Sequence, residues 1–222
     1  MTQQSATKRS QSIEEYIEAI YKLKRSGDAG AKRLADELHV SPPSVSQMLA
    51  RLLDAGLVSR AADGRIELTA QGEAEGARLV RRHRLSERFL TDYLGLPWDQ
   101  VHDEACKFEH VLSDEVEARL AEQLGNPRTC PHGNVIPDPS GEVSEEPAVP
   151  LSELRAGDTS TIARVSDERP ELLRYLASLG LLPDTEVVVE GVAPFNGPLL
   201  VRVGESHYAL GREVAGKIFV RS

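Results

Sequence analysis

The stretch KRLADELHVSPPSVSQMLARLLDAG, residues 32–56, constrains the fold more than any other part of the chain. KRLADELH, residues 32–39, reads as a short helix. Ser41 then stands where an N-cap belongs, and Pro42 and Pro43 fit the first turn of a second helix. Val45, Met48, Leu49, Leu52 and Leu53 make one apolar face of that helix, and Gly56 ends it. Ser44, Ser46, Gln47 and Arg51 face the other way. LVSR, residues 57–60, and RIELT, residues 65–69, are strand-like, and Asp63-Gly64 suits a tight hairpin turn between them. Helix, turn, helix and hairpin in that order predict a winged helix, a DNA-reading unit. Any small helical domain could also combine three helices with a hairpin. The surface side chains offered to DNA are Arg33, Ser41, Pro43, Ser44, Ser46, Gln47 and Arg51, with Arg60 and Arg65 on the wing.

Charge distribution bears on that reading. The chain of 222 residues carries a net −9. Residues 1–70 hold ten basic and nine acidic side chains, residues 71–150 eight and sixteen, and residues 151–222 eight and ten. Any nucleic-acid contact is therefore expected from the first segment. No apolar run is long enough to span a membrane, and the polar N-terminus MTQQSATKRSQS does not read as a secretory signal. A cytoplasmic location follows as the expectation, with Cys106 and Cys130 reduced.

SIEEYIEAIYKLKR, residues 12–25, is an amphipathic helix with Ile13, Tyr16, Ile17 and Ile20 on one face. A long helix spans 70–93, another begins near Trp98, and a further one covers 114–124. Residues 126–150 hold six prolines and no periodicity. After 150 the character changes to short strands broken by Gly, Pro and Asn, interrupted by one helix in ERPELLRYLASLG; a small barrel-like β domain is expected there. The predicted organisation is a winged helix over 1–72, a helical domain over 73–139, a linker over 140–150 and a β domain over 151–222. The fold class is thus mainly α with a small β domain.

VHDEACKFEH, residues 101–110, is dense in metal-binding side chains. On one continuous helix, His102, Cys106, Glu109 and His110 fall at i, i+4, i+7 and i+8 and share a stripe. His83 and Glu87, at i, i+4 on the preceding helix, would face it if the two helices pack antiparallel. Cys130-Pro-His132 is a further soft-ligand pair on a loop. Surface ion pairing or a plain turn are the competing explanations for each pair alone. Catalysis finds little support: His102-Asp-Glu104 lacks the P-C-x-x-C half of a zinc deaminase motif, and no H-E-x-x-H, P-loop or dinucleotide fingerprint is present. No catalytic residue is assigned.

Taken together, EEYIEAIY, SPPSVSQMLARLLDAGLV, LTAQGEAEGARLVRRHRLSERFL, WDQVHDEACKFEHVLSDEVEARL and PHGNVIP resemble the iron- and manganese-dependent repressors typified by the diphtheria toxin repressor and the manganese transport regulator. The resemblance covers nearly the whole chain. It implies a winged helix, a helical dimerisation domain and an SH3-like, FeoA-like C-terminal domain, in a homodimer that binds operator DNA when metal-loaded and represses metal-uptake genes. It also implies a primary metal site of Glu15, Cys106, Glu109 and His110, with Glu18 one turn on as an alternative. An ancillary site would use His83, Glu87 and His102; in relatives with the C-P-H loop, Cys130 and His132 join Glu87 and an acid near Asp167. In some manganese-type relatives His83 belongs to the primary site instead. The carboxylate at Glu15 resembles the manganese branch and the thiol at Cys106 the iron branch. Mn(II) is the expected ion and Fe(II) the alternative, with Zn(II) or Co(II) as substitutes. A metal-binding module without DNA function is the competing class.

Overall fold

The computed structural model describes residues 2–25, 30–62 and 64–221, the side chains of 2–10 and 25 excepted. The chain divides into two compact units. One comprises the chain up to His83 with Glu109–Leu112 and Pro137–Val143. The other comprises Arg84–Phe108, Ser113–Ile136 and the chain from Ser144 on. Among the described residues no helix is long and apolar enough to cross a membrane.

The first unit holds α1 (Thr2–Arg25), α2 (Ala31–Glu37), α3 (Pro42–Asp54), a two-stranded hairpin of β1 (Val58–Arg60) and β2 (Ile66–Leu68), and the first part of α4 (Ala70–Asp92). The Ser41 side chain accepts from Ser44 N (3.4 Å) at the start of α3, and both prolines lie in the first turn, as the sequence predicts. β1 and β2 pair antiparallel, Val58 opposite Leu68. Of the expected Asp63-Gly64 turn, Asp63 lies outside the described residues, and Gly64 has φ +83°. Ile17 and Ile20 of α1, Leu34 of α2, Val45 and Leu52 of α3 and Leu79 of α4 form one closed core. Gly72 and Gly76 allow α4 to press on its neighbours. A Cβ on Gly72 would stand 2.0 Å from Leu57 O, and one on Gly76 2.8 Å from Tyr21 Cβ. This contact carries the His83 turn of α4 to the Glu18 turn of α1.

In the second unit, α4 continues to Asp92, followed by α5 (Val101–Phe108) and α6 (Asp114–Gln123). The expected single helix through 101–110 does not form: α5 stops at Phe108, and Glu109–Val111 is a 3₁₀ turn. Ser113 caps α6 immediately afterwards, leaving one tight turn to redirect the chain. The stripe therefore breaks between Cys106 and Glu109.

The β domain is a six-stranded antiparallel sheet in the order β3 (Ala148–Pro150), β8 (Ile218–Arg221), β4 (Thr159–Val165), β5 (Glu186–Val192), β6 (Leu199–Val203), β7 (Ser206–Leu210). It encloses a core of Ile162, Val187, Val189, Val201, Ile218 and Val220, closed by Leu173 and Leu176 of α7 (Pro170–Ser178). A short α8 (Arg212–Ala215) precedes β8. Ala148–Pro150, expected at the end of the linker, already belong to the sheet.

Candidate metal centre

Among the described residues, ligand-type side chains gather into a cluster in each unit. The first is built by α1, α4 and the 3₁₀ turn. Glu18, His83 and Glu109 place ligand atoms within 4.8 Å of one another. His83 Nδ1 lies 2.6 Å from Glu109 Oε2 and 3.8 Å from Glu18 Oε1. Lys22 Nζ pairs with Glu18 Oε1 at 2.8 Å. His110 Nδ1 donates to Glu14 Oε2 at 2.7 Å. That partner sets the tautomer and leaves Nε2, which is buried, makes no hydrogen bond among the described residues, and faces Glu109 Oε1 at 3.4 Å.

The electrostatics of this cluster are strained. Burial opposes the charge of Glu18, but the Lys22 ammonium and then His83 more than offset it and hold the carboxyl at about 2. Glu109 is pushed up to about 7 by burial and by the Glu18 charge, with His83 pulling the other way. Burial disfavours protonated His110, yet Glu14 and Glu109 outweigh it and raise its pKa. Two buried carboxylates and two imidazoles that neutralise each other only in part are a donor set that fits a divalent cation.

Glu15 does not take the place expected of it. Its side chain is exposed, 3.4 Å from Gln11 Nε2. Helical phase explains why: at about 100° per residue, Glu15 falls roughly opposite the Ile13/Ile17/Ile20 face, whereas Glu14 and Glu18 are turned toward one side of it. The structure thus brings Glu18 to the cluster, with Glu14 behind His110. The i, i+4 repeat of Glu14 and Glu18 was a readable signal for both.

The second cluster joins α4, α5, the 130–136 loop and Glu168, three positions past the end of β4. Glu87 Oε1 stands 3.3 Å from His132 Nδ1 and 3.6 Å from His102 Nδ1. Glu168 Oε2 is 2.8 Å from His102 Nδ1, and Glu168 Oε1 3.8 Å from His132 Nδ1. Cys130 Sγ lies 4.0 Å from His132 Nδ1, and Cys106 Sγ 3.7 Å from His102 Nε2. Glu87, Cys130 and His132 place ligand atoms within 4.8 Å of one another. His132 Nε2 donates to Trp98 O (2.7 Å), which turns Nδ1 toward the carboxylates. Burial works against charge on both histidines, but the Cys106, Glu168 and Glu87 contacts raise His102 to about 11, and Cys130 and Glu87 raise His132 to about 12. Burial pushes the Cys130 thiol up, the Glu87 charge adds to this, and His132 opposes it.

The acid expected near Asp167 is its neighbour. Asp167 is engaged by Arg169 (Nη2 to Oδ2, 2.8 Å) and Lys217 (3.8 Å), while Glu168 enters the cluster. The cause is local. Val165 N donates to His132 O (3.0 Å) and Asn134 Nδ2 to Glu168 Oε1 (2.9 Å), so the loop grips the chain at 165 and 168. Gly133 permits that grip: its φ is +83°, and a Cβ would stand 2.1 Å from Ala163 O. From α4, Arg88 Nε holds Thr129 O at 2.8 Å and Arg84 holds Val135 O.

The expected DNA face is exposed at Arg33, Ser41, Pro43, Ser44, Ser46, Gln47, Arg51, Arg60 and Arg65. Ser41 and Ser44 share a hydrogen bond (Oγ to Oγ, 2.9 Å), and Ser46 Oγ donates to Pro42 O (3.1 Å).

Comparison with known proteins finds relatives of the whole chain. Residues 8–64 match the model of the iron dependent repressor N-terminal DNA binding domain. Residues 69–138 match the iron dependent repressor metal binding and dimerisation domain, and residues 149–222 the FeoA domain. The iron-dependent repressor IdeR of Mycobacterium tuberculosis is 37% identical over 220 residues, covering 93% of this chain and 95% of that protein. The chain belongs to the iron-dependent repressor family. The diphtheria toxin repressor of Corynebacterium diphtheriae is 41% identical over 155 residues, 68% of this chain and 69% of its own. A solved manganese-dependent transcriptional repressor in complex with manganese superposes with a TM-score of 0.88 at 38% identity, covering 95% of this chain and 99% of its own. ScaR with bound Cd²⁺ gives 0.82 at 30%, covering 95% and 99%. The family consists of metal-dependent transcriptional repressors, not enzymes, and this chain carries the DNA-binding, the metal-binding and dimerisation, and the FeoA domains in that order.

Proposed function

We propose that this protein represses transcription as a homodimer that binds operator DNA when loaded with Mn(II), and that it controls genes of metal-ion uptake and homeostasis. The observation that carries the reading is the first cluster: buried Glu18, His83 and Glu109, with His110 Nε2 facing them. Its donors are all oxygen and nitrogen, a set that suits Mn(II). Both thiols contact histidines of the second cluster, where Zn(II) or Fe(II) would find a softer environment.

When bound, the ion supplies positive charge that relieves the repulsion between Glu18 and Glu109. The rest follows from the chain's own connections. Glu18 is next to Ile17, which is sealed in the core shared with Val45 and Leu52 of α3. Holding Glu18 against His83 and Glu109 therefore fixes α1, and with it the pose of α3. An ion that binds this arrangement more tightly than a looser one raises the population of the DNA-competent form. Gln47 and Arg51 on α3 and Arg60 and Arg65 on the wing then meet bases and phosphates. The second cluster ties the β domain to α4 and α5 within its own unit and acts as a supporting site.

The test is an operator-binding titration against Mn(II) and anaerobic Fe(II), with Glu109→Ala in parallel. Wild type should respond at lower free Mn(II) than the variant by at least about a hundredfold, the loss expected when one charged ligand is removed. An unchanged metal response in Glu109→Ala would remove the first cluster from the mechanism. A response to Fe(II) at physiological concentrations with none to Mn(II) would reverse the choice of ion.

A further inference from the structure

We propose that Lys22 is a resident counter-cation of the first cluster, competing with the divalent ion for Glu18 and so setting the ion concentration at which the repressor switches. The inference rests on the metal-binding reading of that cluster and adds a residue that donates nothing to the ion.

Lys22 is one helical turn beyond Glu18, and its Nζ meets the same Oε1 that stands 3.8 Å from His83 Nδ1. Glu18 is buried, with a side chain 8% exposed, and shares its pocket with a second carboxylate, Glu109. Two buried carboxylates need compensating positive charge, and in the metal-free protein the ammonium supplies part of it. A divalent cation at the cluster would use the same Glu18 oxygen and would stand beside a like charge. Lys22 can yield: its side chain is 26% exposed, and its four-carbon stem can carry Nζ to water. Binding then costs the lysine its ion pair, and any residual proximity adds repulsion. Compensating charge that is always present keeps the metal-free protein folded and raises the concentration at which the ion can displace it. The competition is between charges and ignores ligand softness, so it should act on all divalent ions alike. Lys22 is a positioning and threshold-setting residue, while the ligand set governs selectivity.

The experiment measures Mn(II) binding directly, by the electron paramagnetic resonance signal of free Mn(II). It uses the full chain carrying His102→Ala, Cys130→Ser and His132→Ala, which removes both histidines and the buried thiol of the second cluster. In that background Lys22→Met should bind Mn(II) at least about tenfold more tightly, the order by which a neighbouring like charge shifts such equilibria. Lys22→Arg should stay within about threefold of the parent. Zn(II) should tighten by the same factor as Mn(II). Lys22→Gln provides a second neutral variant should the methionine fail to fold, and circular dichroism checks both. Unchanged or weaker Mn(II) binding in the folded neutral variants would overturn the proposal, as would an equal gain in Lys22→Arg. Glu109→Ala in the same background separates the two levels. If it retains parental Mn(II) binding, the cluster reading fails; if it loses binding while Lys22→Met changes nothing, only the role of Lys22 fails.

Discussion

Glu109→Gln should make the metal-free protein more stable while destroying its metal response. Glu109 is 1% exposed and is held at about 7 against its ordinary 4.5. Its folded-state pKa is therefore raised. The proton it keeps favours folding fully below pH 4.5, and that advantage is lost as pH rises through 7. Moving a carboxyl from 4.5 to about 7 corresponds to roughly 3 kcal/mol of penalty once the group is ionised in both states. Most of this, roughly 2–3 kcal/mol, develops between pH 5 and pH 8. Glutamine has nearly the same shape, carries no charge, and can still accept from His83 Nδ1 through its amide oxygen. In the presence of a chelator, the stability of variant minus wild type should thus grow by roughly 2–3 kcal/mol from pH 5 to pH 8. For a chain of this length that is roughly 5–10 °C in melting temperature. Urea or thermal unfolding followed by circular dichroism at the two pH values reads it directly. Saturating Mn(II) should reverse the order, because only wild type gains the binding energy. A variant-minus-wild-type difference that is flat or falls with pH would refute the reasoning, since the buried charge would then not carry the penalty assigned to it.

The second cluster makes its own pH prediction. His102 and His132, at about 11 and about 12, are protonated near neutrality, so a metal must displace those protons. Its affinity should keep rising by about tenfold or more per pH unit between pH 7 and pH 9; calorimetry in buffers of different ionisation enthalpy should register net proton release, and a plateau above pH 7 would contradict this. Gly133→Ala should cost more than about 2 kcal/mol and abolish binding at the loop cluster, because φ is +83° and Ala163 O blocks the new Cβ; binding at that cluster with parental affinity would count against the grip described. Leu52→Ala, at a position with no exposure, should cost about 2–5 kcal/mol and lower operator affinity even at saturating Mn(II), which chemical denaturation and a gel shift would check together.

Much of this molecule was legible in local pattern. The serine cap, the two prolines and the apolar positions of residues 41–56 give α3 because capping and 3.6-residue periodicity act within a few residues. The ligand inventory of 83–110 was also readable, since histidines and carboxylates at i, i+4 announce themselves. Their division was not. The α-helix ends at Phe108 because a tight turn must feed the Ser113 cap, so Cys106 joins His102 while Glu109 joins His83 and Glu18. Glu18 in place of Glu15 follows from which face of α1 the core claims, and Glu168 in place of Asp167 follows from where the 130–136 loop grips β4. Those choices rest on burial and on hydrogen bonds between segments far apart in the chain. Sequence alone determined which groups could bind a metal and which helix could read DNA. The tertiary structure decided which carboxylates are buried together, and therefore which charges an ion would relieve.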